Sequence, residues 1–179
     1  MSDKEASMLA CFTPKEKAPE VHRSAIMAEN DTRRYLLTRQ WGYGWTVLFV
    51  GLNPSTANAT HDDPTLRRLI GLARSWEGYG RLLVCNLFSL VSPDPKALLV
   101  HPDPVGPLND FTIHTAVRES ELVVAGWGAF RAARERAVQV LESGLLGSNV
   151  RCLGQNADGS PKHPLYLPRG VKPVPLEGV

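Results

Sequence analysis

Four short stretches carry side chains that a plain loop does not need. The strand-like run "WTVLFVGLN" (Trp45–Asn53) stops at Pro54-Ser55, where Gly51 and Pro54 alone would make the turn, so the amide of Asn53 is surplus to the backbone. A second run, "RLLVCNLF" (Arg81–Phe88), carries Asn86, and a third, "ELVVAGWG" (Glu121–Gly128), ends in Gly126-Trp127-Gly128. A fourth, "NVRCLG" (Asn149–Gly154), is followed by His163-Pro164-Leu165-Tyr166-Leu167-Pro168. A carboxamide donates from one side and accepts on the other; it orients a water but is too weak a base to deprotonate it. An imidazole donates or accepts near neutral pH. Two amides, one imidazole and several aromatic rings thus stand at successive strand ends. In sheets of parallel strands, ligands bind at that edge.

Each residue alone also has a structural reading. Asn before Pro is common turn chemistry, Asn86 would satisfy local backbone groups, and His163 would be an ordinary loop histidine. Trp127 and Phe88 would be core or rim packing, and Leu165, Tyr166 and Leu167 would close the core. Asp62 or Asp63 reads as a helix cap, although His61-Asp62-Asp63 beside the first turn also offers an acid or base. Arg67, Arg68 and Arg74 read as a solvated helix face. The order of the motifs, one at each strand end, is what favours a shared site.

The elements that must position these residues follow from periodicity. Residues 1–30 show none and predict a flexible N-terminal arm, with a single domain over 31–179. "RRYLLTRQW" (Arg33–Trp41) and Trp45–Asn53, joined across Gly42 and Gly44, predict a β-hairpin. "DDPTLRRLIGLARSWEG" predicts a helix with an Asp cap, Pro64 in its first turn and Leu66, Leu69, Ile70, Ala73 and Trp76 on one face. Asp94 and Pro95 open a short helix, "GPLNDFTIHTAVRES" and "AFRAARERAVQVLES" predict two more, and the chain finishes extended and Pro-rich. Strands alternating with helices predict an α/β, three-layer α/β/α sandwich with a mostly parallel central sheet.

With 179 residues, 43% of them hydrophobic, the chain is long enough for one sizeable core. A formal charge of +2 argues against bulk polyanion binding and leaves room for a local basic patch. Cys11, Cys85 and Cys152 are widely spaced with no CxxC pair, which predicts reduced thiols and no metal site. No apolar run reaches membrane-spanning length and the first residues lack a signal peptide's apolar core, so the expectation is a cytoplasmic monomer without membrane contact. No Gly-x-Gly-x-x-Gly follows any strand, which argues against a dinucleotide enzyme. No cofactor is expected.

The four segments, in this order, resemble the uracil-DNA glycosylase superfamily. The matching features are the Gly51-Leu52-Asn53-Pro54-Ser55 turn, a strand ending in Asn86, the apolar strand before Trp127-Gly128, and a closing His-Pro loop. "CNLFSLVSPDPKAL" resembles a segment of that superfamily's bacterial thermostable branch. Closer still, "GLNPSTA…DDPT…R", "NLF…DP" and "HPLYLP" resemble a bacterial and phage family known as domain of unknown function 1643, over roughly residues 33–175. Leu165 stands where the superfamily's loop has Ser, the first motif has Asn53 and not Asp, and the cysteines of the iron–sulfur branch are absent.

The superfamily resemblance implies a DNA glycosylase or related N-glycosidic hydrolase acting on a damaged, deaminated or modified pyrimidine. DNA would be the partner, with a free nucleotide or base as the smaller alternative. Asn53 and His163 would be catalytic, Asn53 orienting a water and His163 donating to the departing base. Gly51, Leu52, Pro54, Ser55, Asn86, Phe88 and Trp127 would hold the base. Lys162, Arg169 and Lys172 would meet phosphates, and Leu167 would stand as the apolar wedge that replaces a flipped nucleotide. A non-catalytic module binding a nucleotide or modified base on the same scaffold is the competing expectation.

Overall fold

The computed structural model describes residues 21–28 and 30–178. Its frame is a seven-stranded sheet: β1 (His22–Met27), β2 (Arg34–Gln40), β3 (Trp45–Gly51), β4 (Tyr79–Asn86), β5 (Leu122–Ala125), β6 (Val150–Cys152) and β7 (Val174–Pro175). Across the sheet they run β1-β2-β4-β3-β5-β6-β7. The ladders β4–β3, β3–β5 and β5–β6 are parallel; β1–β2, β2–β4 and β6–β7 are antiparallel. The chain is therefore α/β with a mixed sheet, in which the expected parallel arrangement is confined to the centre.

The centre is parallel because its strands are apolar on both sides. Val47 and Phe49 of β3, with Leu82 and Val84 of β4, join one buried cluster, while Leu48, Val50, Leu83 and Cys85 join the other. Such strands need cover on both faces, which helical crossovers supply. Helix α1 (Pro64–Ser75) buries Leu66, Leu69, Leu72 and Ala73 in the first cluster. Its start follows the expected chemistry: Asp63 Oδ1 accepts from the Leu66 N–H at 2.7 Å, and Pro64 needs no donor in the first turn. On the other face lie α2 (Ala97–Val100), α3 (Asn109–Arg118) and α4 (Arg134–Glu142), the last entered through a 3₁₀ turn at Arg131–Ala133.

Two sequence expectations require correction. β2 and β3 do not form a hairpin, because β4 lies between them. The link through Gly42 and Gly44 passes over the start of β4, where the Trp41 N–H donates to the Gly80 carbonyl and the Trp45 N–H to the Gly78 carbonyl. A Cβ on Gly80 would sit 2.6 Å from the Tyr43 carbonyl oxygen, so this crossing depends on glycine in β4 as much as on the link itself. The second correction concerns the arm. Its first twenty residues lie outside the described ones, but His22–Met27 pair with β2 as an edge strand. This segment lacks apolar periodicity because what recruits it is backbone pairing, not burial.

One ion pair anchors the loop before α1. Arg39 is fully buried. Its Nε donates to Asp62 Oδ1 at 2.8 Å, and its Nη2 reaches the same oxygen at 2.7 Å and the Asn58 carbonyl at 2.6 Å. Asp62 also meets Arg23 of β1 at 2.9 Å. Replacing Arg39 with Ala removes a donor from Asp62 and from the Thr38, Asn58 and His61 carbonyls, with an expected loss of about 3–5 kcal/mol in unfolding free energy. Urea unfolding of Arg39→Ala against the unaltered protein measures it.

Candidate active site

A cavity of about 430 Å³ opens at the carboxyl ends of β3 and β4, on the face covered by α1. Alternation along the strands puts Phe49 and Gly51, with Val84 and Asn86, on its wall. Beyond the strand ends the two loops stay zipped: the Leu87 N–H donates to the Gly51 carbonyl, Phe88 to Leu52, and Ser92 to Pro54. Asn53 completes the zip, its Nδ2 donating to the Pro54 and Ser92 carbonyls at 2.9 and 2.8 Å. That fixes the amide and leaves Oδ1 as its unused acceptor.

Asn86 is held from three directions. Its carbonyl accepts from Asn109 Nδ2 at 3.0 Å, and Asn109, fully buried at the start of α3, also ties down the Leu87 carbonyl. Its Oδ1 accepts from Arg34 Nη2 at 3.1 Å. Its Nδ2 rests against Gly51, where a Cβ would come within 2.8 Å. Glycine at 51 therefore keeps room for this amide.

His163 enters the same cavity from the loop after β6, half-buried, beside Trp127. Its Nδ1 accepts from the Leu165 N–H at 3.4 Å, which places the proton of the neutral ring on Nε2. Burial lowers the His163 pKa below the ordinary 6.5, against a smaller opposing pull from Asp63. At neutral pH the ring is a neutral donor.

Of the residues singled out in the sequence, Gly51, Leu52, Asn53, Ser55, Asn86, Trp127 and His163 line this one cavity. Pro54 is buried beneath it, and Phe88 packs in the cluster on the opposite sheet face. Leu167 lies half-buried against the α1 cluster with its carbonyl bound by Arg68; the exposed ring at the mouth is Tyr166, 87% accessible. Lys162, Arg169 and Lys172 are exposed outside the cavity. Arg68 does not belong to a solvated face, and Arg74 lies over the Trp41 ring at 5.3 Å. Asp62 is spent on Arg39 and Arg23, whereas Asp63 caps α1 and also lines the cavity.

Sequence reasoning missed Arg34, Ser92 and Asn109, and read Tyr166 as closing the core, whereas it is exposed at the cavity mouth. The available signal for Arg34 was a charge beside the apolar Tyr35-Leu36-Leu37. Among the described residues, no group of His, Cys, Asp and Glu comes together as metal ligands, and no helix is long and apolar enough to cross a membrane. Cys85 is a buried free thiol whose pKa burial pushes up to about 12.

A family model described as "Protein of unknown function (DUF1643)" matches residues 34–165. The chain belongs to this family. The matched span opens at Arg34 and closes at Leu165, so of the cavity-lining residues only Tyr166 falls outside it. Neither a curated protein nor a solved structure matches the chain.

The lowered His163 pKa sets a pH dependence. The unfolded histidine takes up a proton near pH 6.5 and the folded one only at lower pH, so stability falls as pH drops from about 6.5 through the folded value. Protonation also sets an N–H against the Leu165 N–H. His163→Gln is expected to remove this component from the pH dependence of thermal unfolding, and an unchanged profile would count against the buried neutral ring.

Proposed function

We propose that this DUF1643 protein is an N-glycosidic hydrolase of the DNA glycosylase type, with its cavity holding a damaged, deaminated or modified pyrimidine. The observation that carries the reading is the meeting of Asn53 and Asn86, from the ends of β3 and β4, with His163, from the loop after β6, in one cavity large enough for a nucleoside. The parallel centre of a mixed sheet, with helices on both its faces, supports the reading as far as an α/β scaffold goes.

The chemistry asks little of a base catalyst. Breaking the C1′–N bond builds positive charge on the sugar and negative charge on the departing base, and a water then adds its oxygen to C1′. Asn53 Oδ1 orients that water, whose proton passes to the released base or to solvent. His163 Nε2–H donates to the base oxygen as charge grows, and Asn86 Nδ2 holds the base edge. Trp127 and Phe49 supply apolar walls that exclude water.

A shallower groove flanks the His163 loop and is lined by Arg67, Arg68, Leu165 and Arg169. Arg68 is half-buried and occupied by the Leu167 carbonyl, whereas Arg67 is exposed with one arm on the Asp62 carbonyl, so Arg67 and Arg169, with Lys162 and Lys172 nearby in the chain, are the cations offered to phosphates. The competing reading, a module that binds a base without cleaving it, is favoured by the lack of an uncommitted carboxylate among the described residues of the cavity wall: Asp63, which stands there, caps α1.

Single-turnover base release from a panel of modified-base oligonucleotides separates the two readings. In the hydrolase, His163→Ala lowers the rate about 10²–10³-fold, as for loss of one preorganised donor. Asn53→Ala costs a comparable or smaller factor, and binding changes little in either variant. Tight binding with no release from any substrate leaves the binding module. Independently, replacing Lys162, Arg169 and Lys172 with Ala is expected to flatten the salt dependence of duplex binding, by roughly 0.9 in log–log slope for each phosphate that is no longer neutralised. An unchanged slope moves the phosphate track to Arg67.

A further inference from the structure

Arg34 is a buried, charged cavity residue that the proposed chemistry leaves without a task. Only 5% of its surface is accessible. Nη1 donates to the Ala57 carbonyl at 2.8 Å and Nη2 to Asn86 Oδ1 at 3.1 Å. Both acceptors are neutral. Its Nε–H is buried with no partner at all, and none of the ion pairs among the described residues includes it. The contrast with Arg39, also buried but paired with Asp62, is direct. Asp63 shares the cavity wall and pulls on Arg34 from a distance, but its Oδ1 is engaged by the Leu66 N–H.

Two consequences follow from the donors and acceptors present. A guanidinium only donates, so Asn86 must turn Oδ1 toward it and present Nδ2 alone. The wall formed by Arg34 and Asn86 is therefore made of donors. A buried cation surrounded by neutral dipoles is also short of negative charge, a state that a bound anion relieves. Burial lowers the Arg34 pKa to about 10, so the group is still charged at neutral pH. Plain uracil fits such a wall poorly, because a ring N–H stands between its two carbonyl oxygens and would face other donors.

We infer that the ligand presents only acceptors to Arg34 and Asn86, a negative charge among them. Within the base-binding reading, on which this rests, that ligand is a pyrimidine with a carboxylate beside a ring carbonyl. Adjacent carboxylate and carbonyl oxygens make an unbroken row of acceptors, and the charge answers the guanidinium. Arg34 is then the specificity-determining residue, acting by direct contact and by fixing the orientation of Asn86.

Calorimetric titration of the full chain with uracil, 5-carboxyuracil and the neutral 5-carboxamide of uracil tests this. The carboxylate is expected to bind about tenfold or more tightly than the other two, as for a charge-assisted bond in a buried site. Arg34→Gln should bring all three within about twofold of one another, and Arg34→Lys should keep part of the preference because it keeps the charge. If Arg34→Gln does not fold, the carboxylate–carboxamide comparison on the unaltered protein decides alone. Equal binding of carboxylate and carboxamide overturns the inference while leaving the base pocket standing. Binding of none of the three overturns the base pocket as well.

Discussion

Strand β3 is paired on both edges and covered on both faces, and this constraint decides where anything polar can go. Its backbone is committed to β4 and β5, and its side chains alternate between two apolar clusters. A polar side chain along its middle would be buried without a partner, at a cost of several kcal/mol for a charge. Reactive groups are therefore displaced to the strand ends, where the ladder stops but the neighbouring chain is still close. Asn53 and Asn86 stand there, and the backbone bonds from Leu87 to Gly51 and from Phe88 to Leu52 carry the order of the sheet into the cavity wall. The cavity gains rigidity without loops of its own design.

The same constraint explains why β2 carries two buried arginines that differ so much. β2 is the antiparallel strand beside β4, outside the parallel centre, and its flanks meet the loop of residues 57–62. Arg39 meets that loop at Asp62 and becomes structural: its charge is answered and its donors are spent on backbone carbonyls. Arg34 meets it at a carbonyl only, and spends its other arm on Asn86. The desolvation is similar in kind, and the compensation is not. A group that folding leaves undercompensated beside an open cavity is a candidate for binding a ligand.

How much of this was legible in the sequence depended on how local each signal was. The apolar runs of β3 and β4, the Asp63 cap with Pro64, and the polar residues at the strand ends are local, and the structure places Asn53, Asn86, Trp127 and His163 in one cavity. Strand order is not local. Nothing between Arg33 and Asn53 announces that β4 will insert, since the enabling residue, Gly80, lies outside that stretch. β1 escaped notice because edge pairing leaves no hydrophobic period. Arg34 and Arg39 look alike as letters, and only the loop that folds over them tells them apart. In the His163 loop, one-residue precision decided between Leu167, which packs inward, and Tyr166, which stands out at the mouth.

Rigid hydrogen bonding also gives the cavity a polarity. Asn53 spends its donor on the Ser92 and Pro54 carbonyls and keeps an acceptor; Asn86 spends its acceptor on Arg34 and keeps a donor; His163 spends Nδ1 on the Leu165 N–H and keeps Nε2–H. In each case a backbone or buried group fixes which half of an ambivalent side chain is left over. The leftovers divide into one acceptor and a set of donors. In the proposed reaction the sugar side gains positive charge and the base side gains negative charge, so the acceptor serves the water and the donors serve the leaving group. An amide or imidazole free to turn would have to reorient as that charge separates; these are already committed, and that preorganisation is what such groups contribute to a rate.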